Sequence, residues 1–184
     1  MDISIITPTY NREDCIIRCL ESVSQQLDRL GDEVRVEHIV VDDGSTDSTA
    51  SLLGRYADSH QHVKPIYSDR NRGVNAARNA AVLRAGYRWC LILDSDDCLA
   101  ANALQEIVHT VGAEPGYRSY MFTVDDRIED MAVLGERREL TFEDFLLGRV
   151  GGDFAHLLDR QLLLSHPFNE ELRIYEGLFF LSFF

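Results

Sequence analysis

No apolar run in this chain of 184 residues approaches the ~20 needed to cross a bilayer. The first apolar stretch, residues 3–6, is short and follows Asp2 rather than a basic flank, so a cleavable secretory leader is not expected. Basic side chains are scarce: 18 Lys and Arg stand against 31 Asp and Glu, for a net charge of −13. That balance argues against general binding to nucleic acid or to an anionic membrane, while leaving room for a local basic pocket. Cysteine is limited to four residues, at 15, 19, 90 and 98. Cys15 and Cys19 are one helical turn apart, yet no matching His or Cys pair completes a zinc set. The thiols read as small, buried or half-buried residues in a reducing compartment, the cytoplasm by default. Repeats and low-complexity tracts are absent. So is a glycine-rich loop after the first apolar run, which argues against a dinucleotide-binding oxidoreductase and against a nucleotidyltransferase.

What is present suits a globular domain with a real core, since 45% of the residues are apolar. Residues 3–7 read as a first strand, ended by Pro8, which cannot donate to a central ladder. A helix over 13–27 follows, with Ile16, Leu20, Val23 and Leu27 at helical spacing. Residues 36–41 form a second strand running into Asp42, Asp43 and Gly44. There Gly44 permits a tight turn, and Ser45 or Thr46 can cap the next helix, which carries Leu52, Leu53 and Tyr56. Residues 63–67 make a short strand that Pro65 places near an edge. Val74, Ala77, Ala81 and Ala85 give a helix one narrow face of small residues that can lie close to a sheet. Residues 89–93 are a buried strand, and Leu104, Ile107, Val108 and Val111 mark a further helix. Strand–helix repeated four times predicts an α/β fold with a mostly parallel central sheet and helices on both faces. The rest is less regular: a strand at 119–124, a polar loop or hairpin at 125–139, a capped helix at 141–147, a turn at Gly151-Gly152, a strand at 154–158 and helical turns at 160–165. The apolar close, 178–184, reads as a helix cut short or packed on a missing segment.

The chain is organised around residues 88–98, where the apolar strand delivers Asp94, Asp96 and Asp97 at its C-terminal end. In open α/β sheets that edge is where ligands bind. Carboxylates this close repel one another unless something positive sits among them. A hard divalent cation with oxygen ligands answers that need, and Mg²⁺ or Mn²⁺ keeps open positions for phosphate oxygens. Other readings compete. A solvated acidic turn is common, a calcium loop would need a glycine that is missing here, and an aspartyl-phosphate phosphatase also places Asp-x-Asp after an apolar strand.

Four segments in order, 6–11 (Ile-Thr-Pro-Thr-Tyr-Asn), 40–47 (Val-Val-Asp-Asp-Gly-Ser-Thr-Asp), 73–79 (Gly-Val-Asn-Ala-Ala-Arg-Asn) and 93–97 (Leu-Asp-Ser-Asp-Asp), resemble the inverting nucleotide-sugar glycosyltransferases of family 2, with the GT-A fold. The phosphatase reading falls here, since it leaves the other three segments unexplained. The resemblance is good over residues 3 to about 110 and looser beyond. It implies a Rossmann-like nucleotide-sugar half over 1–112 and an acceptor-side half over 113–184, the latter C-terminally incomplete.

The resemblance also implies roles. Pro8, Tyr10, Asn11 and Asp43 fall at the nucleotide-base pocket, where Tyr10 can stack on the base and Asp43 can accept from a ring N–H. Arg78 and Asn79 fall on the nucleotide side, Asp94 at the strand end, Asp96 near the ribose and metal, and Asp97 as direct ligand of Mn²⁺ or Mg²⁺. The implied reaction moves a sugar from a nucleoside-diphosphate sugar, UDP-linked by default, to a hydroxyl of a glycan or lipid-linked acceptor, with inversion. Relatives of this kind build cell-surface polysaccharide, some at the inner face of the membrane. The catalytic base falls at Glu176, whose usual acidic neighbour is replaced by Gly177; Asp153, Glu170 and Glu171 are alternatives. His156 and Arg160 read as structural. The competing reading is a non-catalytic module that binds a nucleotide-sugar.

Overall fold

The structure, a computed structural model, describes residues 1–123 and 154–171. The elements run β1 (Asp2–Thr9), α1 (Ile16–Leu27), β2 (Arg35–Asp42), α2 (Thr49–Ser59), β3 (Val63–Tyr67), α3 (Val74–Arg84), β4 (Trp89–Ile92), α4 (Ala103–Ala113), β5 (Ser119–Thr123), β6 (Phe154–Asp159) and α5 (Arg160–Ser165). The strands form one sheet in the order β3-β2-β1-β4-β6-β5. β1 to β4 are parallel, and β6 runs antiparallel between β4 and β5. The α/β fold with a mostly parallel sheet is thus present, and β3 with its Pro65 is an edge strand. Readings that fell on 124–153 and 172–184 lie outside the described residues.

Alternation along the strands sorts the core into two faces. Ile3, Ile5 and Leu91 pack with Cys19 and Val23 of α1 and with Leu104, Ile107 and Val111 of α4. Val40 and Val63 pack on the same side against Ile16, Leu20 and Leu53 of α1 and α2. On the other face Ile6, Ile39, Val41 and Cys90 meet Ala77, Ala81 and Ala85 of α3, Leu163 of α5 and Phe168. The small residues of α3 do bring that helix down onto the sheet, as its spacing implied.

Most boundaries shift by a residue from the sequence reading, and two larger differences bear on the site. β1 continues through Pro8 to Thr9, in register with Val41 and Asp42 of β2. Proline is tolerated because β4 pairs with β1 only as far as Ile6, so beyond it β1 has β2 as its sole partner strand among the described residues. Helix α1 starts at Ile16 rather than Glu13. The Glu13 carboxylate accepts from Ser48 N–H at 2.8 Å, and its own N–H donates to Asp47 at 3.2 Å, so this residue is tied to the start of α2.

Strand order reverses between β1 and β4, which opens a crevice beyond their C-terminal ends.

Candidate active site

That crevice holds a cleft of ≈ 360 Å³ whose lining includes Pro8 and Thr9 from the end of β1, Tyr10 just beyond it, Asp43 just after β2, Arg78 from α3, and Asp94 and Asp96 from the loop after β4. The volume suits a small polar ligand. Six residues implied by distant segments therefore meet in one place: Pro8, Tyr10, Asp43, Arg78, Asp94 and Asp96.

At one end Asp43 is buried, and its Oδ2 accepts from the backbone N–H groups of Arg72 (2.8 Å) and Gly73 (2.7 Å). No hydrogen bond within the described residues engages its Oδ1, so that oxygen is available to a ligand donor. The 70–73 loop reaches Asp43 because Gly44 adopts φ 75°; a Cβ there would meet Arg70 backbone atoms at 2.7 Å. Gly73, with φ 97°, then opens α3. Tyr10 is 39% exposed at the cleft wall, leaving an aromatic face for stacking. Thr9 adds a feature that the motif reading passed over. It is 3% exposed, and its Oγ1 finds no hydrogen-bond partner among the described residues. A buried hydroxyl without a partner costs about 1–3 kcal/mol, so in a cleft wall it is a polar handle for a ligand.

At the other end the acids are met by arginines. Arg78, buried on α3, donates to Asp94 Oδ1 at 2.8 Å. Arg12 lies 3.4 Å from Asp96 Oδ2, and Arg18 donates to the Asp96 carbonyl at 3.0 Å. The Asp97 N–H closes a turn on the Asp94 carbonyl at 3.1 Å, and the Cys19 thiol supports the same carbonyl from below at 3.6 Å. Part of the positive charge that the acid cluster demands is thus supplied by the chain. His156 of β6 is kept neutral beside it: burial, then the Arg78 charge, pushes its pKa down to about 4. The sequence reading missed Arg12 and Arg18. Their only signal was two cations flanking the start of α1, whose N-terminus follows the first motif.

Three implied residues stand apart from the cleft lining. Asn11, with φ 51°, takes Ser45 Oγ on its N–H (2.9 Å) and Thr46 N–H on its Oδ1 (2.8 Å). It staples the two loops together and so shapes the pocket from outside. This also corrects the cap expectation: Ser45 and Thr46 bind Asn11, while Thr49 N–H at the start of α2 is taken by Asp47 at 2.9 Å. Asn79 is the second residue outside the lining. Its amide pairs with the Phe168 backbone (2.9 Å in both directions) and Glu170 (3.0 Å), and it is not among the residues that line the cleft. Asp97 is exposed one residue beyond the lining. Of the alternative bases, Glu170 is held by Asn79 and by Arg72 at 3.4 Å. Glu176, Gly177 and Asp153 lie outside the described residues.

The acids fit a hard dication. Among the described residues no three His, Cys, Asp or Glu side chains gather into a protein-only cage. Mg²⁺ and Mn²⁺ do not need one: they take one or two carboxylates and complete their shell from phosphate and water oxygens. Asp96 is 56% exposed on its side chain and its Arg12 partner 44%, so their ion pair is weak enough for a cation to compete.

The comparisons with known proteins agree with this geometry. Residues 4–147 match the family described as glycosyl transferase family 2. The chain is 38% identical over 112 residues to the succinoglycan biosynthesis protein ExoO of Rhizobium meliloti (strain 1021), covering 61% of this chain and 30% of that protein. It is 30% identical over 171 residues to the UDP-Glc:alpha-D-GlcNAc-diphosphoundecaprenol beta-1,3-glucosyltransferase WfgD of Escherichia coli, covering 90% of this chain and 64% of that one. The chain thus spans less than two thirds of either relative. Among solved structures, S. aureus TarS 1-349 in complex with UDP-GlcNAc superposes with a TM-score of 0.77 at 26% identity, over 97% of this chain and 52% of that one. With the sheet order, the cleft and these matches in agreement, the chain belongs to glycosyl transferase family 2 and has the GT-A fold.

Proposed function

We propose that this chain transfers a sugar, with inversion, from a UDP-linked donor to a hydroxyl of a glycan or lipid-linked acceptor in the synthesis of cell-surface polysaccharide. The observation that carries the reading is the convergence of Tyr10, Asp43, Asp94 and Asp96, from three separate segments, on one cleft at the strand-order reversal. UDP-GlcNAc in the TarS complex and the UDP-glucose named for WfgD favour uridine as the base.

In this reading the base stacks on Tyr10 and donates to Asp43, while Thr9 Oγ1 takes a polar group of the nucleoside. Arg78 holds Asp94 in place at the diphosphate end. Asp96 and Asp97 would hold Mn²⁺ or Mg²⁺, which supplies neutralisation of the leaving diphosphate's charge. Glu176 takes the proton of the acceptor hydroxyl as that oxygen attacks the anomeric carbon. Residues 1–112 serve the donor and 113–184 the acceptor. No helix among the described residues is long and apolar enough to cross a membrane.

Isothermal titration with UDP, with and without MnCl₂, tests the site. Manganese should raise affinity about tenfold or more, Asp96→Asn with Asp97→Asn should remove that gain, and Asp43→Ala should weaken UDP with or without metal. UDP affinity indifferent to manganese and to Asp43→Ala would contradict the assignment. Glu176→Gln should retain binding and lose UDP release from a UDP-sugar in the presence of acceptor.

A further inference from the structure

Arg78 is buried, and its place is set by something outside the nucleotide motifs. The guanidinium lies over the Phe168 ring, 5.5 Å from its centroid, while NH2 reaches Asp94 at 2.8 Å. Phe168 is itself 4% exposed and belongs to the apolar cluster between α3 and the sheet. Its segment, residues 167–171, follows α5 and is fastened along α3 by side-chain amides. Asn75 donates to the Asn169 carbonyl at 2.8 Å, and Asn79 exchanges two 2.9 Å hydrogen bonds with the Phe168 backbone, as a neighbouring strand would. Glu170 then takes Asn79 at 3.0 Å and Arg72 at 3.4 Å. Arg72 is the residue whose N–H donates to Asp43 at the base end.

We infer that residues 167–171 form a positioning strap for the donor pocket: Phe168, latched by Asn79, fixes Arg78 against Asp94, and Glu170 steadies the Arg72 loop that frames Asp43. The inference rests on the donor-site reading above and extends it to residues that no motif of the first half contains. A cation on an aromatic face is directional, and a buried guanidinium with that face filled has one orientation to offer Asp94. Asn79, implied as a nucleotide contact by resemblance, acts here through Arg78. Phe168 and Asn79 are positioning residues and touch no reacting atom.

A double-mutant cycle on UDP affinity in the presence of manganese separates the possibilities. Arg78→Ala should weaken UDP about tenfold or more. Phe168→Leu and Asn79→Ala should each weaken it roughly three- to tenfold in the otherwise unaltered chain, and by less than about twofold once Arg78 is already alanine. Asn79→Ala keeps the test available if Phe168→Leu fails to fold, since it removes a partly exposed amide and favours the helix. If Asn79→Ala and Phe168→Leu bind UDP like the unaltered chain while Arg78→Ala does not, the strap inference is overturned and the donor site stands. If their losses multiply undiminished in the Arg78→Ala background, they act by general loosening and the inference is likewise overturned. If Arg78→Ala itself binds UDP normally, the reading of the diphosphate end fails and the strap falls with it.

Discussion

A neutral imidazole sits inside the sheet at β2. His38 is fully buried, its Nε2 lies 2.8 Å from Thr7 Oγ1 on β1, and its Nδ1 has no partner among the described residues. Burial first, and then the charge of His62, pushes its pKa down to about 3. Its unfolded value is ~6.5. Above that value both states are neutral and its contribution to stability is fully present. As pH falls from 6.5 towards 3, the unfolded chain takes the proton and the folded chain refuses it, so stability drops, by roughly 3 kcal/mol at pH 4 from this group alone. His62 and His156 are shifted in the same direction, chiefly by burial. Urea midpoints measured at pH 7 and pH 4.5 should show a steep loss for the unaltered chain. His38→Gln should lose some stability at pH 7 but show a clearly smaller drop between the two values; an unchanged drop would remove His38 as its source. None of this was legible in the sequence. A histidine in the run Val36 to Val41 says nothing of whether a neighbouring strand will offer it a hydroxyl.

Elements were more legible than the contacts between them. Apolar runs with turn signals located β1 to β4 and the small-residue face of α3, because period and length constrain a strand or helix locally. The antiparallel insertion of β6 between β4 and β5 was not readable, since it pairs Trp89 with Asp159 across 70 residues of chain. The site divides in the same way. That Tyr10, Asp43, Asp94 and Asp96 share one cleft could be anticipated, because each follows closely on the end of a strand. The partners of Asn11 and Asn79 were not readable, because Ser45, Thr46 and Phe168 are brought to them only by the fold. The loop after β2 shows how strictly such an element can be specified. Gly44→Ala places a Cβ 2.7 Å from the Arg70 backbone at φ 75°, where neither side can yield by rotating a side chain. The change should destabilise the chain by about 1–3 kcal/mol and weaken UDP, because displacing residues 70–73 withdraws the donors that hold Asp43. Melting and titration that both match the unaltered chain would refute the coupling.

At the scale of the whole molecule, the proposed function asks a chain with net charge −13 to bind a polyanionic donor at an acidic loop. Arg12, Arg18 and Arg78 lie where they would offset part of that repulsion, and on the proposed reading a dication held by Asp96 and Asp97 would offset the remainder. The donor site is complete enough to test directly, by anomalous scattering from crystals soaked with MnCl₂ and UDP. The account predicts a manganese peak within coordination distance of Asp96 or Asp97 and of both phosphates, with uracil between Tyr10 and Asp43. Manganese or UDP bound elsewhere, with those carboxylates turned away from both, would contradict it.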